Sequence, residues 1–139
     1  YVDSVLTIAA HDNMLAMNQA LMVDLTGQVN AESFGPAMYS GAGGQTAFAI
    51  GAVLAKGGRS VTVVPSTAKG DKVSRIVPML PEGSIVTVPR NATDYVVTEW
   101  GIARLRGKTQ RQRAEELIAV AHPDFRAELR KAARKLYWP

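Results

Sequence analysis

No cysteine occurs among the 139 residues. Neither a disulfide framework nor a thiolate metal site is therefore available, and a reducing cytoplasm is the compartment this composition fits. Aromatic residues amount to 6%, too few for the stacking platforms that hold single-stranded nucleic acid. No apolar run approaches the ~18 residues of a membrane-spanning helix, and no stretch has the pattern of a signal peptide. The two histidines, His11 and His122, stand apart, with no H-x-x-x-H spacing and no carboxylate cluster to argue for a metal. Positive charge is missing from one end of the chain. Residues 1–50 contain Asp3, Asp12, Asp24 and Glu32 but no Lys or Arg, and all 16 bases follow in residues 51–139. Eight of those bases lie in residues 108–135, where a solvated helical face accounts for them, although an anionic cofactor or acidic partner would also be attracted.

What is present is enough for one domain, with 47% apolar and 20% charged residues. The first residue is Tyr1 rather than Met, so the expectation is a piece of a longer protein. Along the chain, SVLTIAA (4–10) and MLAMN (14–18) read as short strands around the turn signal HDN. ALMVDL (20–25) and QVNAES (28–33) flank Thr26-Gly27 and read as a hairpin. A loop, FGPAMYSGAGG, leads into a helical pattern that begins near Gly44 and ends where Gly57 and Gly58 stop it. Four β-rich runs follow: SVTVVP (60–65), KVSRIVP (72–78), SIVTVP (84–89) and YVVTEW (95–100). They are expected to be neighbours in a parallel or mixed sheet.

The period then changes. Ala114, Leu117, Ile118 and Ala121 fall at i, i+3, i+4, i+7, a helix capped at Thr109. HPDF starts a second helix with His122 as its cap, Pro123 in its first turn, and a stripe of Phe125, Leu129, Ala132 and Leu136. The methionines 14, 17, 22 and 38 are expected in the core, and His11 in a turn. The class is α/β, an open sheet flanked by helices.

The glycine cluster SGAGGQ (40–45) is neither G-x-G-x-x-G nor a P-loop. Yet Gly41, Gly43 and Gly44 precede a helix, where free N–H groups at the positive end of the macrodipole suit a phosphate or an oxygen that becomes negative during reaction. A tight turn is the plainer alternative. STAKGDKVSR (66–75) joins small residues to three cations between two strands, a setting equally suited to anions and to water. Glu99 ends a Val-rich strand, the position at which α/β sheets tend to bind ligands. Ser40 lacks a G-x-S-x-G setting, and no Ser-His-Asp arrangement is visible.

Taken in order, VDLTGQVNAES, YSGAGGQ, PSTAKGDKVSRIVP, DYVVTEWGIARLRGKT and RAEELIAVAHPDFR resemble the C-terminal domain of the acetyl-CoA hydrolase/transferase family. The resemblance runs from about Asn13 to Leu129. It implies a CoA-transferase-like fold of two similar α/β domains with the site between them, this chain being one domain of the pair. It also implies coenzyme A transfer between carboxylic acids through a glutamyl-CoA thioester, or hydrolysis of the thioester in some members, without a metal. The resemblance places the nucleophilic glutamate upstream of Tyr1, so no acid here inherits that role. Matched residue by residue, Asn18 lies near the catalytic glutamate and Gly43 and Gly44 match the oxyanion loop, with Gly41 beside them. Lys72 and Glu99 match residues of the acyl and CoA pocket, and Ser66, Lys69 and Arg75 are CoA contacts by charge. The expected partners are acyl-CoA, a small carboxylate, the protein's own N-terminal domain and further copies of itself, with neither nucleic acid nor membrane. One departure stands out: Ala47 occupies the place where the family usually has Asp. A hydrolase, or a non-catalytic α/β module that binds a CoA-like anion, remains the alternative.

Overall fold

The structure is a computed structural model, and it describes residues 1–138. Its centre is a four-stranded mixed sheet built from distant parts of the chain. Strand β1 (Leu15–Gln19) pairs in parallel with a later strand, Arg59–Val63, which pairs in parallel with Tyr95–Thr98. The last of these turns antiparallel into Gly101–Arg104. Between β1 and Arg59–Val63 come the short strands β2 (Met22–Asp24), β3 (Val29–Asn30), β4 (Ser33–Phe34) and β5 (Ala37–Met38), so Arg59–Val63 is β6. After it come β7 (Thr67–Ala68), β8 (Val73–Ser74) and β9 (Ile76–Val77), then β10 (Tyr95–Thr98) and β11 (Gly101–Arg104). A second sheet has the order β3-β2-β9, and β4–β5 and β7–β8 are separate two-stranded ribbons.

The helices are α1 (Val5–Ala9), α2 (Gln45–Leu54), α3 (Gln110–Val120) and α4 (Pro123–Tyr137). Their limits follow from local chemistry. Thr109 and Gln112 form a reciprocal capping box at the start of α3, each satisfying a donor the helix cannot. The His122 ring accepts from the Asp124 N–H, and Pro123 occupies the first turn of α4. The predicted hairpin forms as β2–β3, and Gly27 at φ 93° supplies its turn. Val23, Val64, Val96, Leu105 and Leu117 are fully enclosed where α3 and α4 meet the sheets. Each such aliphatic side chain contributes about 1.5–3 kcal/mol by leaving water.

Several expectations need correction. Residues 4–10 are not a strand. Ser4 caps α1 through the Thr7 N–H, and Ile8 packs so closely on α2 that a Cβ on Gly51 would come within 2.6 Å of it. That contact outweighs the β propensity of Val5, Thr7 and Ile8. The run 72–78 is split at Arg75, whose N–H donates to Ser66 O while its carbonyl accepts from Val23 N. The chain changes partner there, β8 joining β7 and β9 joining β2. Residues 84–89 do not form a strand; a single bridge joins Val88 to Val29, and the Ile85 N–H is spent on the Ser33 hydroxyl.

Of the four runs expected in one sheet, only those giving β6 and β10 enter it, and β11 comes from residues assigned to no element. In α4 the buried positions are Leu129 and Ala133, with Phe125 and Tyr137 packed beside them, while Leu136 is exposed. The stripe thus advances by four residues rather than by the expected mixture of three and four. Among the four methionines expected in the core only Met22 is buried; Met17 and Met38 are over half exposed.

Candidate functional site

Three parallel strands, β1, β6 and β10, end on the same side of the central sheet. Their C-terminal ends bring Asn18 and Gln19, then Val63 and Val64, then Thr98 and Glu99 to one edge. A cleft of about 550 Å³ opens there, lined by Gln19, Ala20, Tyr39, Ser40, Arg75, Thr98 and Glu99 among others. A smaller hollow of about 270 Å³ adjoins it and shares Gln19, Ala31 and Ser40. Its remaining walls are Asn18, Glu32, Gly41, Gly43, Gly44, Gln45 and Thr87.

The glycine loop runs along the hollow into the N-terminus of α2. Neither packing nor backbone angle within this chain requires glycine at 41 or 43. Both have φ outside the left-handed region, and no described residue other than the chain neighbours lies within 4 Å of where a Cβ would stand. Gly44 differs, since its Cβ would meet the Asp3 carboxylate at 2.7 Å. Gly44 is the N-cap of α2 and makes no side-chain capping bond. Among the described residues, the N–H groups of 41, 43 and 44 have no backbone partner. A row of free donors at a helix start favours negative charge in front of it.

Glu99 is held by one neighbour. The Ser66 N–H donates to it at 3.0 Å and the Ser66 hydroxyl at 2.5 Å. Desolvation pushes its pKa up, but the Ser66 hydrogen bonds and the charge of His122 outweigh that and hold it below its ordinary value of 4.5. It is a carboxylate at neutral pH. Arg75 lines the same cleft and donates to Leu21 O at 2.8 Å, while its buried Nε has no partner among the described residues. Among the described residues no ion pair joins Arg75 to Glu99, so a cation and an anion face one cavity without cancelling each other.

The structure therefore gathers Asn18, Gly41, Gly43, Gly44, Arg75 and Glu99 at one edge. Ser66 is fully buried and acts on the cleft through Glu99. Lys69 stands exposed in the turn between β7 and β8, in a left-handed conformation with φ 54°. Lys72 lines a separate hollow with Ile76, Phe125 and Leu129. Among the polar wall residues, Gln19, Gln45 and Thr87 were not singled out from sequence. Glu32 stood in the VDLTGQVNAES motif, within the second arm of the expected hairpin. Among the described residues no group of His, Asp and Glu could hold a metal ion, and no helix is long and apolar enough to cross a membrane.

An open α/β sheet with an anion-favouring loop and a fixed carboxylate at its strand ends defines a class of ligand-binding fold in which acyl transfer is feasible. Residues 1–133 match the family model of the acetyl-CoA hydrolase/transferase C-terminal domain, and the chain belongs to that family. It is 50% identical over 137 residues to 4-hydroxybutyrate coenzyme A transferase of Clostridium kluyveri, covering 99% of this chain and 32% of that protein. It is 51% identical over 136 residues to succinyl-CoA:cyclohexane-1-carboxylate CoA transferase of Geobacter metallireducens, covering 98% of this chain and 31% of the relative. The crystal structure of RipA from Yersinia pestis superposes with a TM-score of 0.92 at 45% identity, over 100% of this chain and 31% of RipA. The fold is thus that of CoA-transferase domains, and the chain spans about a third of the length of the curated relatives it matches.

Proposed function

We propose that this chain is the C-terminal domain of an acyl-CoA:carboxylate CoA-transferase whose nucleophilic glutamate is supplied by an upstream portion of the protein. The observation that carries the reading is the row of unpartnered N–H groups at Gly41, Gly43 and Gly44, facing a hollow that also receives Asn18. Addition of a carboxylate to a thioester carbonyl converts the carbonyl oxygen to an oxyanion. Donors already aimed at that oxygen stabilise it with no reorganisation. Collapse expels the CoA thiolate and leaves an acyl-glutamyl anhydride. The thiolate then adds to the glutamyl carbonyl, releasing the first carboxylic acid as its anion and leaving glutamyl-CoA. A second carboxylate reverses the sequence, so every bond broken is matched by one formed and no net proton is required.

Gly41 and Gly43 carry no Cβ to obstruct the approaching thioester, and Asn18 offers a side-chain amide donor at the end of β1. Arg75 provides positive charge for a carboxylate substrate or for CoA. Glu99, fixed by Ser66, is the acceptor that orients a polar group of the acyl or pantetheine chain. Lys69, exposed at its hairpin tip, would meet the phosphates of CoA from outside the cleft, and Lys72 would do so only if the hollow against α4 is part of the CoA path. The reaction takes place in the cytoplasm, in a protein that assembles with further copies of itself. The second reading is a non-catalytic α/β module that binds a CoA-like anion, and the observation behind it is Ala47 in place of the usual Asp.

The test is to incubate the protein carrying its upstream domain with acetyl-CoA and a second carboxylate, then trap the enzyme with borohydride or hydroxylamine. Thioester exchange with a trapped glutamate outside residues 1–139 is expected, while residues 1–139 alone give neither exchange nor an adduct. Loss of acetyl-CoA that is independent of the second carboxylate would support the hydrolase instead. An adduct on Glu32 or Glu99 would overturn the assignment of the nucleophile.

A further inference from the structure

Glu32 is a buried acid, 7% exposed, with no ion-pair partner among the described residues. Burying a carboxylate without a countercharge is costly, so its environment calls for explanation. Among the described residues its one side-chain donor is the Thr87 hydroxyl, at 2.7 Å from Oε2. Thr87 is also buried, and its Oγ1 accepts from the Ala31 N–H at 2.9 Å. The two residues are distant in sequence and meet where Thr87 and Val88 both donate their N–H groups to Val29 O and Val29 donates back to Val88 O.

Both ends of the glycine loop are fastened to this pair. Before the loop, the Tyr39 and Ser40 N–H groups donate to Glu32 O at 2.7 and 3.0 Å. After it, the Thr46 hydroxyl donates to Thr87 O. Between those anchors, no described residue other than the chain neighbours lies within 4 Å of a notional Cβ on Gly41 or Gly43. The free donors are therefore slung between two fixed points that share one hydrogen bond, the Thr87–Glu32 contact. Asn30, fully buried, backs the arrangement by accepting from the Glu32 and Ser33 N–H groups at 2.9 and 3.0 Å.

We propose that Glu32 and Thr87 are positioning residues: their hydrogen bond clamps the two flanks of the glycine loop and so fixes where its N–H groups point. The inference rests on the transferase reading above, in which those donors meet the oxyanion. Both line the hollow, and their role is to hold the loop rather than to meet the substrate. Their effect is on the distance between donor and oxygen, and misplacement of about 1 Å in such a site costs on the order of 10²-fold in rate.

The test uses Thr87→Val, Thr87→Ser, Glu32→Ala and Glu32→Gln in the protein carrying its upstream domain. Rates are expressed per active site, counted by borohydride trapping, which removes any fraction that fails to fold. Thr87→Val and Glu32→Ala are expected to lower kcat by about 10–10²-fold with KM for acyl-CoA changed by less than ~3-fold. Thr87→Ser keeps the hydroxyl and Glu32→Gln keeps an acceptor, so both should stay within ~3-fold of the parent.

A second measurement, on residues 1–139, needs no activity. Amide hydrogen exchange at Tyr39 and Ser40 should quicken by about tenfold or more in Thr87→Val but not in Thr87→Ser, with α3 unchanged. Unaltered kcat and exchange in Thr87→Val, or a Thr87→Ser as impaired as Thr87→Val, would overturn the clamp. A parent protein that fails to exchange CoA overturns the transferase reading instead, and the exchange rates at Tyr39 and Ser40 still decide the clamp.

Discussion

Helix α2 has glycines at both ends, and they are there for different reasons. At its C-terminal end Gly57 adopts φ 69°, and a Cβ on Gly58 would stand 2.1 Å from Ala52 O. Both positions are dictated by this chain's own backbone. At the N-terminal end neither Gly41 nor Gly43 has a left-handed φ or a crowded Cβ. Glycine that the fold does not require is left to be accounted for by something outside the chain. Local sequence does not separate the two cases, since each is a pair of glycines at a helix terminus. What separates them is whether a Cβ would collide with the protein itself.

The largest expected effect lies at the N-terminal end. Gly43→Val in the protein carrying its upstream domain keeps the N–H but puts a side chain in the path of the thioester oxygen, and should lower kcat by about 10²–10³, as much as removal of an oxyanion donor costs. The melting temperature should hardly move, and an unchanged kcat in the folded variant would reduce the loop to a turn. Next comes Gly58→Ala, which forces a methyl against the Ala52 carbonyl and should destabilise by about 1–3 kcal/mol or more. Chemical denaturation reads this directly, and a variant as stable as the parent would mean that the end of α2 relaxes freely.

Gly41→Ala is expected to change stability by no more than ~0.5 kcal/mol, since the added methyl meets nothing in this chain. A clear loss by the same denaturation measurement would erase the contrast between the two helix ends. The smallest effect is on the acid limb. Glu99 titrates below 4.5 in the folded chain, so its bonds to Ser66 contribute stability above that pH and lose it as pH falls through the folded value. Ser66→Ala should raise the Glu99 midpoint and narrow that difference, as followed by NMR of the Glu99 carboxyl carbon. An unmoved midpoint would show that the Ser66 hydroxyl is not what holds it.

Elements whose apolar residues repeat over two or more turns were legible in the sequence. α3 and α4 lie where their periodicity put them, α2 lies between the glycines that bracket it, and the caps at Thr109 and His122 were readable from residue type alone. α1 was not, because five residues give no period, and its fate is decided by the fit of Ile8 against Gly51. The segment 84–89 has the composition of a strand yet leaves Ile85 and Val86 exposed, since no neighbour accepts its full row of backbone groups. For the site, the glycine loop and Glu99 were visible as local signals. Thr87 was not, because its importance comes from lying beside Glu32, a contact made by two turns that approach one another only in the folded chain. The cations of 66–75 looked alike in sequence, and the structure sends Arg75, Lys69 and Lys72 in three directions.

The strand pairing of the central sheet has a kinetic consequence. Leu15 pairs with Arg59, and β6 in turn with Val96 and its neighbours, so each parallel contact closes only after a long stretch of chain has been brought back on itself. Loop closure on that scale makes parallel pairing slow relative to the formation of α2 or of the β2–β3 hairpin. The glycine loop lies within the first of those closures, between β1 and β6. Its donors can face their hollow only after the sheet has zipped. A peptide spanning the loop and α2 would therefore form helix without acquiring the site, and in refolding experiments anion-binding competence should appear with the slowest phase, well after helical signal has returned.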